Sequence, residues 1–316
     1  MPKNILPQKF IASAEKCGFD TALIKQTAIP HLYLESNRIL SSRKTEGLEF
    51  QVRSLKEGVR IKLIVKKGAK IKKPIFFCFE ILKNRGKQII LPEIILEEGA
   101  EAKILAHCAF PAAQKIVHQM EAAVRLKKNS KLIYEEKHYH GENFGVEVLM
   151  SLKVLLGRNS SFNNEFVLER GSIGKLKIDL EMELKKEAVA ETVNKIVTKG
   201  AGDRVEIFDK TLLKGEDSKS LIKSRVAAVD GGSVFLQGET VALAKGTRGH
   251  IDCREIIVGK KSVAKAIPIV EARHPEARIT HEASVGKVNQ KELETLMTRG
   301  LSEEEATDFI IRGAMK

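Results

Sequence analysis

Apolar and polar residues alternate with a period of two through most of the chain, as at Leu176, Ile178, Leu180 and Met182. Such alternation predicts short strands with one face in a core. The runs end at Gly, Asn or Asp turns, and one phrase recurs. It appears as LIVKKGAKI around Ala69, IILEEGAEA around Ala100 and VRLKKNSKL around Ser130. It returns as VLLGRNSSF around Ser160, MELKKEAVA around Ala188 and LLKGEDSKS around Ser218, so the small residues are 31, 30, 30, 28 and 30 positions apart. Weaker half-steps fall at Ser172, Ala201, Ser233, Thr247 and Ser262, which brings the effective spacing to 12–17 residues. Helical periodicity is absent from about Gly47 to Gly286. Regular short strands joined by tight turns indicate a solenoid or a sandwich. An immunoglobulin-like sandwich also has closely spaced turns. The small residue repeated after the turn favours the solenoid, in which stacked turns must nest.

The ends differ from this mainly β core. Residues 1–45 form a partly helical segment, with Ile5, Phe10, Ile11 and Ala14 in a loose helical pattern ending at Cys17-Gly18. The β-helical core is expected over 46–288 and a helical segment over 289–316. Gln290 to Thr298 predicts a helix with Leu293, Leu296 and Met297 on one face. Ser302 then caps a last helix, with Glu305 completing a capping box. Arg312 and Lys316 suit its C-terminal dipole. Ala306, Phe309, Ile310 and Gly313 form its expected buried stripe.

Composition narrows the function. The 316 residues carry 54 Lys+Arg against 41 Asp+Glu, a net charge of +13, with 43% apolar and 30% charged residues. The chain is therefore neither disordered nor membrane-spanning, and its start lacks a signal-peptide core. Four cysteines without a CxxC pair exclude a zinc ribbon or disulfide scaffold and fit a reducing, cytoplasmic setting. The charge admits an anionic polymer as partner. Many basic residues, however, sit as pairs at turns (Lys66-Lys67, Lys127-Lys128, Lys185-Lys186, Lys260-Lys261), where they act as solvated guards of a β edge. No Trp and three Tyr leave few platforms for stacking bases. Phosphate-cradling loops and nucleophile elbows are absent as sequence motifs.

Reactive side chains gather near the end of the β region, in GHIDCREIIVG and IPIVEARHPEARITHEASVGK. Cys253, His250, Asp252, Glu255, His274, His281 and Glu282 could bind a soft or borderline metal or supply a nucleophile. In a solenoid Cys253 and Glu282, 29 residues apart, could meet on adjacent turns. The plainer alternative buries Cys253 between Ile251 and Ile256 and leaves His281 and Glu282 on the surface. Cys108, in AHCAFP, fits either a small core residue or a functional thiol. In EEKHYHGEN, His138 and His140 have the i, i+2 spacing of a metal pair, and also that of a solvated strand end. Cys17 and Cys78 read as structural.

At these residues the chain resembles the SufB/SufD proteins of iron–sulfur cluster assembly. DSKSLIKSR, IDCREIIVG, ITHEASVGKV and RGLSEEEATDFIIRGAMK carry the resemblance, which is weaker in AHCAFPAAQKIVHQMEAAV and AEKCGF. It implies a right-handed parallel β-helix flanked by helices, acting as a scaffold without catalytic residues of its own. It also implies a SufC-type ABC ATPase as partner, docked on the C-terminal helices at Leu293, Leu296, Met297, Phe309 and Ile310, so that ATP enters only through that subunit. Cys253, Glu282 and His281 match the residues proposed to hold a transient iron–sulfur cluster. Cys108 matches the cysteine thought to receive sulfur, and His138 and His140 fall where the family's sulfur path runs. The chain is thus similar to a minimal SufB-type protein, expected to pair with itself or with a SufD-like paralogue and to serve a sulfur donor and apoprotein acceptors. An inert β-helical adaptor that organises the ATPase is the competing expectation, and a basic anionic-polymer binder a third.

Overall fold

A computed structural model describes residues 8–16, 29–141, 143 and 145–315. Ile5, Cys17 and Lys316 lie outside the described residues. The order is α1 (Gln8–Lys16), β1 (His31–Glu35), β2 (Arg38–Arg43), β3 (Leu48–Leu55), β4 (Gly58–Val65), β5 (Ile75–Glu80), β6 (Arg85–Leu96) and β7 (Glu101–Ala109). Then come β8 (Lys115–Leu126), β9 (Lys131–Tyr139), β10 (Val146–Leu156), β11 (Ser161–Leu168), β12 (Lys175–Leu184) and β13 (Val189–Val197). The chain continues through β14 (Arg204–Leu213), β15 (Lys219–Val229), β16 (Ser233–Ala242), β17 (Arg248–Val258), β18 (Val263–Ala272) and β19 (Arg278–Lys287). It closes on α2 (Gln290–Met297) and α3 (Glu303–Ala314).

From β4 onward each strand pairs in parallel with the strand two places later. The chain therefore winds as a parallel β-solenoid of about eight turns, in which, from β4 on, odd strands form one sheet and even strands the other. Lys131 faces Ser161, which faces Val189, then Lys219, Arg248 and Arg278 down the stack. This constant register is the physical meaning of the sequence repeat. Inward positions such as Leu176, Ile178, Leu180 and Met182 are buried between the sheets. Sheet pairing already begins at His31, within the N-terminal segment, where β1 joins β5.

The recurring phrase is a turn. Gly99, Asn129, Asn159, Glu187 and Asp217 all take positive φ, between 51° and 69°. Each sends its amide N–H to a carbonyl one turn further on, as Asn129 does to Arg158 at 3.0 Å. The small residue that follows (Ala100, Ser130, Ser160, Ala188 or Ser218) is buried, and the serine hydroxyls donate back across their own turns. Lysines at these turns are exposed, as expected, but several also pair with glutamates on the neighbouring turn, such as Lys127 with Glu97 at 3.0 Å and Lys186 with Glu216 at 2.6 Å. Not every half-step is built alike. Ala201 is exposed, and buried Asp203 organises that corner by accepting from the backbone N–H groups of Ile173, Gly174 and Lys199.

The two ends of the stack are finished differently. At the N-terminal end β2 and β3 run antiparallel to their neighbours, and α1 packs Phe10 and Ala14 against Tyr33, Phe76 and buried Cys78. At the other end β18 and β19 are bare edges of the two sheets. The C-terminal helices do not cap that end. Ile311 of α3 and its C-cap residue Met315 pack on Val197 and Ala227, outside the ten-stranded sheet. The capping box at Ser302 and Glu305 forms as the sequence predicts. The buried stripe does not. Ala306 and Ile311 are the buried members, while Phe309 is 62% exposed and Ile310 half-buried. One sheet face covers only part of the helix's broad apolar surface. Among the described residues no helix is long and apolar enough to cross a membrane.

Candidate functional site

The open end of the solenoid carries Cys253. On β17, Ile251, Cys253 and Glu255 point inward, because strand side chains alternate and these positions stack on Ile222, Ser224 and Val226 of β15. Cys253 is 2% exposed and packs with Ile222 and Ile251. Burial pushes its thiol up to about 12, and the nearby Glu255, Asp209 and Asp252 carboxylates push the same way. A neutral thiol is therefore the resting form in the lone chain. Glu255, two residues on, is buried with neither carboxylate oxygen bonded to another residue, and burial raises it to about 7.

β19 closes the turn above. Its register sets His281 beside Ile251, Glu282 beside Asp252 and Ala283 beside Cys253. His281 thus shares the inward face with Cys253, and it is exposed because no further turn covers it. Glu282 is on the opposite face. There it ends a file of charges: Arg225 pairs with Asp252 through both guanidinium nitrogens, Asp252 with Arg254 at 3.4 Å, and Arg254 with Glu282 at 3.8 Å. Burial opposes ionisation of Asp252, yet the Arg225 hydrogen bond and charge hold its carboxyl below the usual range. The expected meeting of Cys253 and Glu282 is not made within one chain, since strand parity separates adjacent register positions. Glu255 was within the reactive stretch but not in the expected ligand set. Its inward parity with Cys253 was the available signal.

A second group is internal. Cys108 on β7 is buried, and so are His138 and His140 at the end of β9, which are not a solvated strand end. The structure adds two residues that the candidates omitted, Glu136 of β9 and His118 of β8. Cys108 Sγ lies 3.6 Å from His118 Nε2 and 3.5 Å from Glu136 Oε1, while His138 Nε2 is 2.8 Å from the same Oε1. Both additions were visible as polar residues at inward positions, in Tyr134, Glu136, His138 and in Ile116, His118, Met120. Burial, and secondarily His138, drives His140 down to about 3. Beyond Glu136 a small cavity of about 20 Å³ runs along the interior to Asn194 and Asp209, which share a 2.8 Å hydrogen bond.

Three of the five expected docking residues line a surface groove. Leu293 is buried, Leu296 half-buried and Met297 exposed. Leu296, Phe309 and Ile310 border a groove of about 810 Å³ that reaches Ile256 of β17.

Residues 86–314 match the family described as SUF system FeS cluster assembly, SufBD core domain. An iron–sulfur cluster assembly SufBD family protein of Methanocaldococcus jannaschii is 38% identical over 284 residues, covering 90% of this chain and 89% of its own length. A second, from Pyrococcus horikoshii, is 29% identical over 301 residues, or 95% of this chain and 91% of the relative. A third, from Archaeoglobus fulgidus, is 29% identical over 249 residues.

Proposed function

The chain belongs to the SufB/SufD family of iron–sulfur cluster assembly proteins, and on that premise we propose that it is the scaffold on which a nascent cluster is built and from which it is passed on. The cluster is cargo, held where β17 and β19 end the solenoid, by Cys253 and His281 from the inward face with Glu282 from the outward face of a second copy. The observation that carries this reading is the bare edge itself. Native sheets normally cover or blunt their edges, and the N-terminal end of this stack does so with antiparallel strands, whereas β18 and β19 remain open beside the one cysteine of the reactive stretch. Pairing of two such edges would bury Val270 and Val285 and bring groups from both chains to one place. A SufD-like paralogue presenting the same edge would serve equally.

The chemistry of Cys253 suits a transient holder. Its thiol binds iron only as the thiolate, so capture of iron displaces a proton that burial otherwise keeps on sulfur. Glu255, which burial raises to about 7, is the inward group placed to receive it. One thiolate with imidazole and carboxylate partners holds a cluster less firmly than four thiolates, which favours release to an apoprotein. The groove at Leu296, Phe309 and Ile310 supports docking of a SufC-type ATPase on the helices. Nucleotide-driven movement of α3 would be felt at Ile256, three residues from Cys253, as a population shift of the open end.

Anaerobic reconstitution with ferrous iron and sulfide, with and without SufC, tests this. Cys253→Ser is expected to lose the cluster's visible absorbance while keeping ATPase binding, and undiminished cluster in that variant would overturn the assignment. The burial of Cys253 gives one competing reading its force, that of an adaptor that only organises the ATPase. Wild-type chain that binds SufC yet takes up neither iron nor sulfide would favour it.

A further inference from the structure

Four donor groups from three strands face one point deep inside the solenoid, several turns from Cys253. One ligating atom from each of Cys108, His118, Glu136 and His138 lies within 4.8 Å of the other three, and all four residues are buried. The surrounding hydrogen bonds determine what each presents. Gln88 donates its amide N–H to the Ser36 carbonyl, so its oxygen faces His118 Nδ1 at 2.9 Å. Nδ1 of His118 therefore carries the hydrogen. In the neutral ring Nε2 is then a bare lone pair, 3.6 Å from Cys108 Sγ.

The same logic runs along β9. The Ile173 carbonyl can only accept, so His140 donates to it from Nδ1 at 3.1 Å. His140 Nε2 then accepts from His138 Nδ1 at 3.2 Å. In a neutral His138 ring this leaves Nε2 bare, 2.8 Å from Glu136 Oε1. The other oxygen, Oε2, already receives the Tyr134 hydroxyl at 3.0 Å. Three acceptors thus converge on the Cys108 sulfur, whose S–H hydrogen can serve one of them. The contact between His138 and Glu136 is too close for two bare acceptors and requires a proton or a cation between or beside them.

We propose that Cys108, His118, Glu136 and His138 form a four-coordinate interior site for a borderline divalent transition-metal ion of the Zn²⁺ or Fe²⁺ class, bound through Sγ, two Nε2 atoms and Oε1. The donor set is that of a closed tetrahedral site. Ordinary metal–ligand bonds at tetrahedral angles separate sulfur from imidazole nitrogen, and sulfur from carboxylate oxygen, by about 3.5–3.6 Å. The Cys108–His118 and Cys108–Glu136 separations are 3.6 and 3.5 Å. The His138–Glu136 edge must open, from 2.8 Å toward about 3.4 Å, and the remaining edges lie within 4.8 Å. Gln88 and His140 orient the ligating rings, as outer partners do in metal sites. Phe110 and Phe166 wall the rings, at centroid distances of 5.2 Å from His118 and 4.9 Å from His138. Cys108 is here a metal ligand and not an acceptor of sulfur, and the site stands whether or not the open end holds a cluster.

Such depth means that the ion is taken up as the chain folds. The test is to produce the full chain anaerobically with Co²⁺ as the added transition metal. One Co²⁺ per chain is expected, with the visible bands of a four-coordinate ion and a thiolate charge-transfer band. Cys108→Ser should abolish the charge-transfer band, and His118→Gln should lower occupancy at least about tenfold, while Cys253→Ser changes neither. X-ray absorption of the zinc-loaded wild type should give one sulfur and three nitrogen or oxygen neighbours, a result that needs no variant to fold. Wild-type chain without bound cobalt, a zinc site without sulfur, or a band that survives Cys108→Ser but not Cys253→Ser would each overturn the proposal. So would recovery of persulfide on Cys108 from metal-loaded chain treated with a sulfur donor. Reconstitution of a cluster on Cys253 succeeds or fails separately from all of these.

Discussion

Cys253 and Glu282 sit on adjacent hydrogen-bonded strands, one register position out of step, and so project from opposite faces of the same sheet. Any site that uses both must draw one of them from another chain or wrap the free edge of β19. Glu282 makes a single 3.8 Å contact with Arg254, and both side chains are exposed. Exposed ion pairs contribute at most about 1 kcal/mol. Glu282→Ala is therefore expected to leave the melting temperature within about 2 °C of wild type while reducing reconstituted cluster. Thermal unfolding and iron content on the same preparation check this. A loss of stability matching the loss of iron would refute a ligand role.

Self-association through the open edge predicts a different variant. Val285 shares the inward face with Cys253, yet it is 47% exposed because nothing stacks on β19, and Val270 of β18 is in the same position at 38%. A lysine at either site costs the monomer little, since its ammonium reaches water. Paired edges would have to bury that charge. Val270→Lys with Val285→Lys should shift the chain from dimer to monomer in sedimentation at unchanged far-ultraviolet dichroism. An unshifted dimer would place the contact elsewhere.

How far these sites could be read from sequence depended on parity. Cys108, His138 and His140 stood out as reactive residue types, and period-two counting from His138 passes through Glu136 and Tyr134 on the same inward face. His118 and Gln88 come from the other sheet, and only the winding of the solenoid brings them opposite Cys108. The turns were legible because nesting demands a small residue after the positive-φ position of each recurring turn, as at Ser130 and Ala188. Phe309 was misplaced as a core residue because helical periodicity gives the width of an apolar face but not how much of it a partner surface covers. The opposite facing of Cys253 and Glu282 was in principle countable. Their separation of 29, against a register step of 30 between Asp252 and Glu282, puts them out of phase.

Buried Glu80 predicts a pH dependence of stability. Burial, with a smaller push from Glu35, raises its carboxyl to about 8, against hydrogen bonds from Ser13 and Cys78 that pull it down. A carboxyl raised on folding is held as the acid in the native state and ionises in the unfolded chain. Its contribution is intact below the unfolded value near 4.5 and is lost as pH rises toward about 8. Glu80→Gln removes that loss. The variant should become more stable than wild type at pH 8 by on the order of 3 kcal/mol relative to their difference at pH 4.5. Parallel denaturation curves at the two pH values would show that Glu80 does not titrate as its surroundings imply.

The turn ladder makes opposite predictions at neighbouring residues. Glu187 takes φ +59° without being glycine, a conformation that costs a side-chain-bearing residue roughly 1 kcal/mol. Its ion pair with Arg158, at 3.1 Å on the surface, offsets only part of this. Glu187→Gly should leave denaturant midpoints equal to or slightly above wild type. Ala188 is fully buried beside it, where added methylenes have no space, and Ala188→Leu should cost about 1–3 kcal/mol. Equal effects of the two changes would mean that the turn is not held by nesting.

The proposed docking on the C-terminal helices is separable from their folding. Phe309 is the most exposed large apolar residue of α3 and borders the groove to Ile256, whereas Ile311 anchors the same helix on Val197 and Ala227. Phe309→Ser removes no buried packing, so stability should hold within about 0.5 kcal/mol, while binding to a SufC-type ATPase weakens at least about tenfold. Ser302→Ala acts through the helix instead. It deletes the cap that receives the Glu305 amide and returns its hydroxyl to the Glu305 carboxylate, costs about 1 kcal/mol, and should loosen α3 from the sheet as read by hydrogen exchange at Ile311. If the ATPase docks on a preformed α3, both variants weaken binding but only Ser302→Ala speeds exchange. Full-strength binding by Phe309→Ser would move the docking surface off the groove.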